Sequence, residues 1–293
     1  MTMEKSRPAL PAHIYTVTSR DYLPGTHVML QSFLETNPWF SGQINILQDD
    51  LSDSQKEEFS GFFEQIHFPD ISPDLSDAIG ELVAAQNQLA DRRRRFYSLE
   101  AFFTDAAGPV LFCDSDMLFR SDISAMFEIP GSLVACGDRA QITGSGRDPV
   151  TLAETAGSTP FAGFASFNAG LMVIGKTSRS ADIRSALMGE LDPENWAAIA
   201  SDHTDQAVLN RVLGSSVSIA PAQFNYLIGH AAALKGAAGV SAREAKVLHF
   251  NGPAKPWAFA AHMAAARHSA EFVWAAGQWF DSYRHHLAAR HLR

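Results

Sequence analysis

The chain has 293 residues, with 23 Lys+Arg against 32 Asp+Glu, a formal net charge of −9, 46% apolar residues and 19% charged residues. This is a globular composition. It excludes a disordered, collagenous or coiled-coil chain and suits one sizeable core, as a large single domain or two closely packed halves. The acidic balance excludes a broad nucleic-acid surface, which needs clustered Lys and Arg, but a small anionic ligand needs only a few local charges.

In chain order, His13–Thr18 is rich in β-branched and aromatic residues and reads as a first strand. Val28, Leu30, Phe33 and Leu34 follow at helical spacing, and Pro38 ends the pattern. Gln43–Leu47 is a second strand, and Ser52–Phe63 is an amphipathic helix with a capping serine. Ile66–Phe68 is a third strand. This βαβαβ opening predicts an α/β fold with a mainly parallel sheet and helices on both faces.

Asp91–Thr104 reads as a helix with Phe96, Leu99 and Phe103 on one side. Pro109–Cys113 is a continuous apolar run, the pattern of a central strand buried on both faces. Leu133–Cys136, Gly170–Ile174, Val217–Ala220 and Val247–Phe250 are further strands, and Ser178–Met188 and Thr204–Leu213 are helices. Residues 141–165, rich in Gly, Ser, Thr and Pro, form a long loop of the kind that is usually functional. The tail, His268–Arg293, is helical. Cys113 and Cys136 are too few for a disulfide framework and are expected to be buried thiols. No signal-peptide core and no apolar run of membrane-spanning length stands out, so a cytoplasmic location is the expectation.

The strongest chemical signal is Asp114-Ser115-Asp116, directly after the buried run. Two carboxylates at i and i+2 can reach one hard cation such as Mn²⁺ or Mg²⁺, and ligands of open α/β sheets sit at the carboxyl ends of strands. A second cluster, His249-Phe-Asn-Gly252-Pro-Ala-Lys255-Pro-Trp257, follows another apolar run. His249 can complete a metal shell, Gly252 lets backbone approach an anion, Lys255 offers a charge to phosphate, and Trp257 can pack beneath the loop. Taken singly, His249 reads as a core histidine, Asn168 as a turn residue and Asp205 as a carboxylate at a helix start.

Together these motifs resemble glycosyltransferase family 8, which includes glycogenin and bacterial lipooligosaccharide galactosyltransferases. The matching segments run in order from Tyr22: Asp114-Ser-Asp116, Phe167-Asn-Ala-Gly170, Asp205-Gln206-Ala-Val-Leu-Asn210 and His249 to Trp257. The resemblance implies a GT-A fold in residues 1–267 with a helical tail over 268–293. It also implies a retaining transfer of a hexose from a UDP-sugar to a glycan or lipopolysaccharide-type acceptor, assisted by Mn²⁺. By the same resemblance, Asp114, Asp116 and His249 match the metal ligands, and Gly252 and Lys255 match the diphosphate contacts. Thr16, Thr18 and Tyr22 match the uridine site, and Ser115 goes with the donor contacts. Asn168, Asp138, Asp205 and Gln206 match positions around the donor sugar and acceptor, with Gln206 near the anomeric carbon.

Two departures stand out. Ser19 occupies a place where some members carry an Asp for the uracil edge. Tyr97 and Ser98 stand where the family usually has a Lys or Arg, so Arg94 or Arg95 is expected to serve the donor instead. Two other functions share part of the pattern: a haloacid-dehalogenase-type phosphatase, which also has an Asp-x-Asp after a strand, and a non-catalytic nucleotide-sugar binder. The tail combines Phe272, Val273, Trp274, Trp279, Phe280 and Tyr283 with Arg and His, so it could touch an anionic membrane or pack on the domain.

Overall fold

The computed structural model describes residues 10–143, 166–199, 203–267 and 269–290. The expected opening is present as β1 (His13–Val17), α1 (Leu23–Thr36), β2 (Gln43–Leu47), α2 (Asp53–Phe62) and β3 (Ile66–His67). A 3₁₀ turn, Arg20–Tyr22, links β1 to α1. Ser52 caps α2 reciprocally with Gln55: the Gln55 backbone N–H donates to Ser52 Oγ at 3.3 Å, and the Ser52 N–H donates to Gln55 Oε1 at 2.9 Å.

Two features of the next stretch differ from expectation. Pro73–Ala85 forms a helix, α3, whose Leu75, Ile79 and Leu82 are buried. Asn87–Phe102 follows as a long run of 3₁₀ turns rather than an α-helix beginning at Asp91. In a 3₁₀ helix, residues three apart eclipse, so the buried stripe is Phe96, Leu99 and Phe102, and Phe103 serves as the cap.

The chain continues with β4 (Val110–Cys113), β5 (Met117–Phe119), β6 (Leu133–Gly137), α4 (Arg139–Thr143) and β7 (Phe167–Ile174). After these come α5 (Ala181–Gly189), α6 (Pro193–Ile199), α7 (Thr204–Leu213), β8 (Val217–Ala220), β9 (Tyr226–Leu227), α8 (Ala231–Ala237), β10 (Val247–His249), α9 (Phe259–Ala266) and α10 (Ala270–Arg290). Most of the loop expected at 141–165 lies outside the described residues.

The main sheet has the order β3-β2-β1-β4-β7-β6-β8. Its pairings are parallel except where β7 runs antiparallel to both β4 and β6. Alternation assigns its faces. Val110, Phe112, Leu133, Ala135, Met172 and Ile174 pack on one side with α3, the 3₁₀ run and α7. Leu111, Cys113, Val134, Cys136, Leu171 and Val173 pack on the other side with α1 and α2. Each Val, Leu, Ile, Met or Phe among them, fully buried, contributes about 2 kcal/mol of transfer free energy. Both cysteines are buried free thiols.

The Val247–Phe250 segment does not join this sheet. Its strand, β10, forms a small second sheet, β5-β10-β9, antiparallel to β5 and parallel to β9. A third apolar cluster covers this sheet and includes Phe272, Ala275, Ala276 and Trp279 of α10. The tail helix is thus packed onto the body of the protein. Among the described residues no helix is long and apolar enough to cross a membrane.

Candidate metal and diphosphate site

The site forms where the two sheets meet. Strand β4 ends at Cys113, and the Asp114 N–H still donates to the Gly170 carbonyl of β7 at 2.7 Å. The chain then leaves the main sheet and enters the small one at Met117. The turn between the two strands brings the Asp114 and Asp116 carboxylates to the same side. The antiparallel register of β5 and β10 places His249 opposite Met117, and the Phe250 N–H donates to the Asp116 carbonyl at 3.0 Å. Residues more than 130 positions apart thereby converge. His249 Nε2 lies 3.2 Å from Asp116 Oδ1 and 3.6 Å from Asp114 Oδ2, and one ligand atom from each of the three residues falls within 4.8 Å of the others.

The floor of this cluster is Gly170. A Cβ there would sit 2.5 Å from His249 Cε1, 2.7 Å from Asp114 Oδ2 and 3.0 Å from Asn168 Oδ1. Only a glycine lets β7 pass this close beneath the two ligand side chains. Gly25, in the first turn of α1, has the same role beside the loop. A Cβ on it would meet Trp257 Cη2 at 2.4 Å and the Ser115 carbonyl at 2.7 Å.

The three groups fit a divalent cation. Asp116 Oδ1 is buried and has no hydrogen-bond partner among the described residues. His249 Nδ1 contacts Asn225 Oδ1 at 2.9 Å, so the lone pair of the neutral ring sits on Nε2, facing the carboxylates. A lone pair and two carboxylates turned toward one another form a donor set suited to a hard cation. Burial and then the neighbouring Asp116 carboxylate push the Asp114 carboxyl up to about 7, although 40% of its side-chain surface stays exposed. Burial would also raise Asp116, but the facing Lys255 ammonium outweighs it and holds that carboxyl well below the usual range.

Lys255 is buried beside the cluster. Its ammonium pairs with Asp116 Oδ2, donates to the Phe250 carbonyl at 2.6 Å and lies 5.6 Å from the centre of the Tyr22 ring. Burial would lower its pKa, but the facing Asp116 carboxylate prevails and raises it. Gly252 turns the loop with a φ of 83°, in the left-handed region that glycine tolerates. Trp257 anchors the loop as expected: its indole N–H donates to the Asp21 carbonyl at 3.0 Å, and its ring meets Tyr22 at 5.7 Å and Trp279 at 5.5 Å. Ser115 is buried between the two carboxylates.

The remaining candidates fall into three groups. Thr16 and Thr18, on and just after β1, are buried. Thr18 Oγ1 lies 2.6 Å from Thr26 Oγ1, whereas Thr16 Oγ1 has no partner among the described residues. Asn168 and Gln206 touch, with Asn168 Nδ2 donating to Gln206 Oε1 at 3.0 Å. Asp205 accepts from Ser98 Oγ at 2.8 Å and from Thr204 Oγ1 at 3.0 Å. Burial raises its carboxyl pKa, with Ser98 acting against the rise. Asp138 accepts from Ser166 Oγ and, at 3.0 Å, from the Gln141 N–H.

The two arginines are placed differently. Arg94 is drawn toward Asp49 and Asp50, just past β2, in a cluster shared with Arg93 and Tyr97. Arg95 is exposed, and its charge acts on both Tyr22 and Asp205. Asn225, between two apolar segments, is a functional residue that the sequence does not reveal. No local pattern marks it, and its importance comes from its contact with His249.

Comparison with known proteins agrees with this geometry. A profile described as "Glycosyl transferase family 8" matches residues 13–261. No curated protein sequence matches the chain. Among solved structures, the galactosyltransferase LgtC, in complex with donor and acceptor sugar analogues, is similar at a TM-score of 0.67 and 19% identity, covering 92% of this chain and 95% of LgtC. An active-site mutant of LgtC, with glutamine changed to glutamate, matches at the same TM-score and identity, covering 92% of this chain and 94% of that one. Mouse xyloside xylosyltransferase 1 is similar at a TM-score of 0.56 and 14% identity, covering 83% of this chain and 98% of that one. The architecture is the GT-A fold of these proteins.

Proposed function

The chain belongs to glycosyltransferase family 8 and is a glycosyltransferase; from that premise we propose that it moves a hexose, glucose or galactose, with retention, from a UDP-sugar to a glycan or lipopolysaccharide-type acceptor. The observation that carries the reading is the convergence of Asp114, Asp116 and His249 on one point with Lys255 beside them. The cation is taken to be Mn²⁺, with Mg²⁺ as the other hard ion that suits the same ligands. When bound, it would supply Lewis acidity at the departing diphosphate.

The chain's own residues account for the rest. Lys255 would turn its ammonium from Asp116 toward the diphosphate, where negative charge grows as the sugar–phosphate bond breaks. Gly252 would bring backbone N–H groups to the same phosphates. Thr16, Thr18 and Tyr22 would line the nucleoside pocket, and the unpartnered Thr16 hydroxyl supports this assignment. Asn168 would hold Gln206 at the reacting face of the donor sugar, and the LgtC active-site glutamine supports that role. Asp205 and Asp138 are assigned to the sugar and acceptor, and Arg95 rather than Arg94 to the donor. The phosphatase alternative is set aside, since the family is a different one and the His249–Trp257 loop is built into the site.

A screen of UDP-, GDP- and TDP-hexoses with Mn²⁺ tests the proposal, read as donor hydrolysis and as product anomer by NMR. Turnover of UDP-glucose or UDP-galactose with retained configuration is expected; turnover of GDP- or TDP-sugars alone would refute it.

The tail supports a separable reading, peripheral contact with an anionic membrane on the cytoplasmic side. Phe272 and Trp279 are buried in the body, but Val273, Phe280 and Leu287, seven apart on α10, are exposed along one face with the basic Arg284. Co-sedimentation with anionic liposomes, compared between the chain and a V273S/F280S/L287S variant, tests it; equal binding by both would refute it.

A further inference from the structure

A chain of side-chain hydrogen bonds runs from Gln206 to the metal cluster, and one backbone group fixes its direction. The Gly170 N–H donates to the Asn168 side chain at 3.0 Å, so the atom it meets must be the acceptor Oδ1. Asn225 approaches the same oxygen at 2.9 Å, so it must present its Nδ2 there. Its Oδ1 is then the atom 2.9 Å from His249 Nδ1, and an amide oxygen only accepts. The His249 ring therefore carries a proton on Nδ1, and in its neutral, metal-binding form the lone pair falls on Nε2, the nitrogen nearest Asp116 and Asp114. At the other end, Asn168 Nδ2 donates to Gln206 Oε1, so the same backbone N–H also orients the Gln206 carboxamide. Asn225 and His249 are both buried, so their contact is shielded from water.

We propose that Asn225 is a positioning residue that fixes the Nδ1–H tautomer of His249 and so prepares Nε2 as a metal ligand, within a relay that ties this ligand to Asn168 and Gln206. The inference rests on the metal-site reading above. It assigns Asn225 no contact with substrate. Partners of this kind behind a ligating histidine change metal affinity about 10–100-fold when removed.

Three proteins separate the possibilities: the unaltered chain, Asn225→Leu and Asn225→Asp. Leu matches Asn in size and removes the acceptor. Asp keeps an acceptor on Nδ1, adds a charge and, like Leu, loses the donation to Asn168, so the difference between the two reports the acceptor facing Nδ1. Calorimetric titration with MnCl₂ alone, without nucleotide, is expected to show a 10–100-fold weaker Kd for Asn225→Leu and a Kd within about threefold of the unaltered chain for Asn225→Asp. Equal weakening of both variants, or no weakening of either, would overturn the proposal. If the unaltered chain fails to bind Mn²⁺, the metal-site reading itself falls. A second readout needs no variant: long-range ¹H–¹⁵N spectra of the Mg²⁺-loaded protein are expected to show His249 protonated at Nδ1, and protonation at Nε2 would overturn the relay.

Discussion

Replacing Gly170 by Ala tests the packing beneath the metal cluster. The added Cβ would lie 2.5 Å from His249 Cε1 and 2.7 Å from Asp114 Oδ2. Carbon atoms pack at about 3.5 Å, so the imidazole must retreat by about 1 Å or strand β7 must shift. Ligand distances in a metal site tolerate only about 0.2 Å, several times less than that retreat. Overpacking of this kind costs about 1–3 kcal/mol of fold stability, so the variant should still fold. The expected result is a Mn²⁺ affinity at least about 100-fold weaker, equivalent to about 2.7 kcal/mol, with a melting temperature a few degrees lower. Calorimetry measures the first and a thermal melt the second. A folded Gly170→Ala variant that binds Mn²⁺ within threefold of the parent would refute the claim that these atoms form the site.

Other consequences follow from the same arrangement. Lys255→Met leaves the buried Asp116 carboxylate without its ammonium, and losing one partner of such a pair costs about 3 kcal/mol in a denaturant melt; added Mn²⁺ should restore part of that loss, while UDP binding at saturating Mn²⁺ weakens at least about tenfold. The raised Asp114 carboxyl stabilises the metal-free fold at acid pH, and that contribution disappears as pH rises through about 7. A cation replaces the lost proton, so the Mn²⁺-induced rise in Tm should be larger at pH 8 than at pH 6; an equal or smaller rise at pH 8 contradicts the assignment. Trp279→Ala removes a buried ring packed against Trp257 and Tyr283 and should cost about 3–5 kcal/mol; a loss under about 1 kcal/mol would show that the tail is not integral to the fold.

Much of this arrangement can be read from the chain because it follows local rules. The opening βαβαβ alternation, the capped α2 and the uninterrupted apolar run of β4 each carry a periodic or capping signal. Asp114-Ser-Asp116 is legible because the run stops abruptly at a pair of carboxylates. Legibility fails where structure depends on distant partners. Strands β5 and β9 span three and two residues, too short for any period, so only β10 of the small sheet is legible and its partners are not. The 3₁₀ run shares its apolar spacing with an α-helix over one turn, and only the choice of Phe102 over Phe103 separates them. Arg94 and Arg95 are adjacent in sequence. What distinguishes them is the Asp49–Asp50 pair, more than 40 residues away, which draws Arg94 aside. Asn225 is one asparagine among many until β9 and β10 bring it against His249.

The central claim is that a divalent ion held by Asp114, Asp116 and His249 is what makes this fold bind a nucleoside diphosphate. Calorimetric titration with UDP, with and without Mn²⁺, of the parent and of the D114A/D116A double variant tests it most directly. The account predicts Mn²⁺-dependent UDP binding by the parent and its loss in the variant. UDP binding by the parent without Mn²⁺, or equal binding by the two proteins, would contradict it.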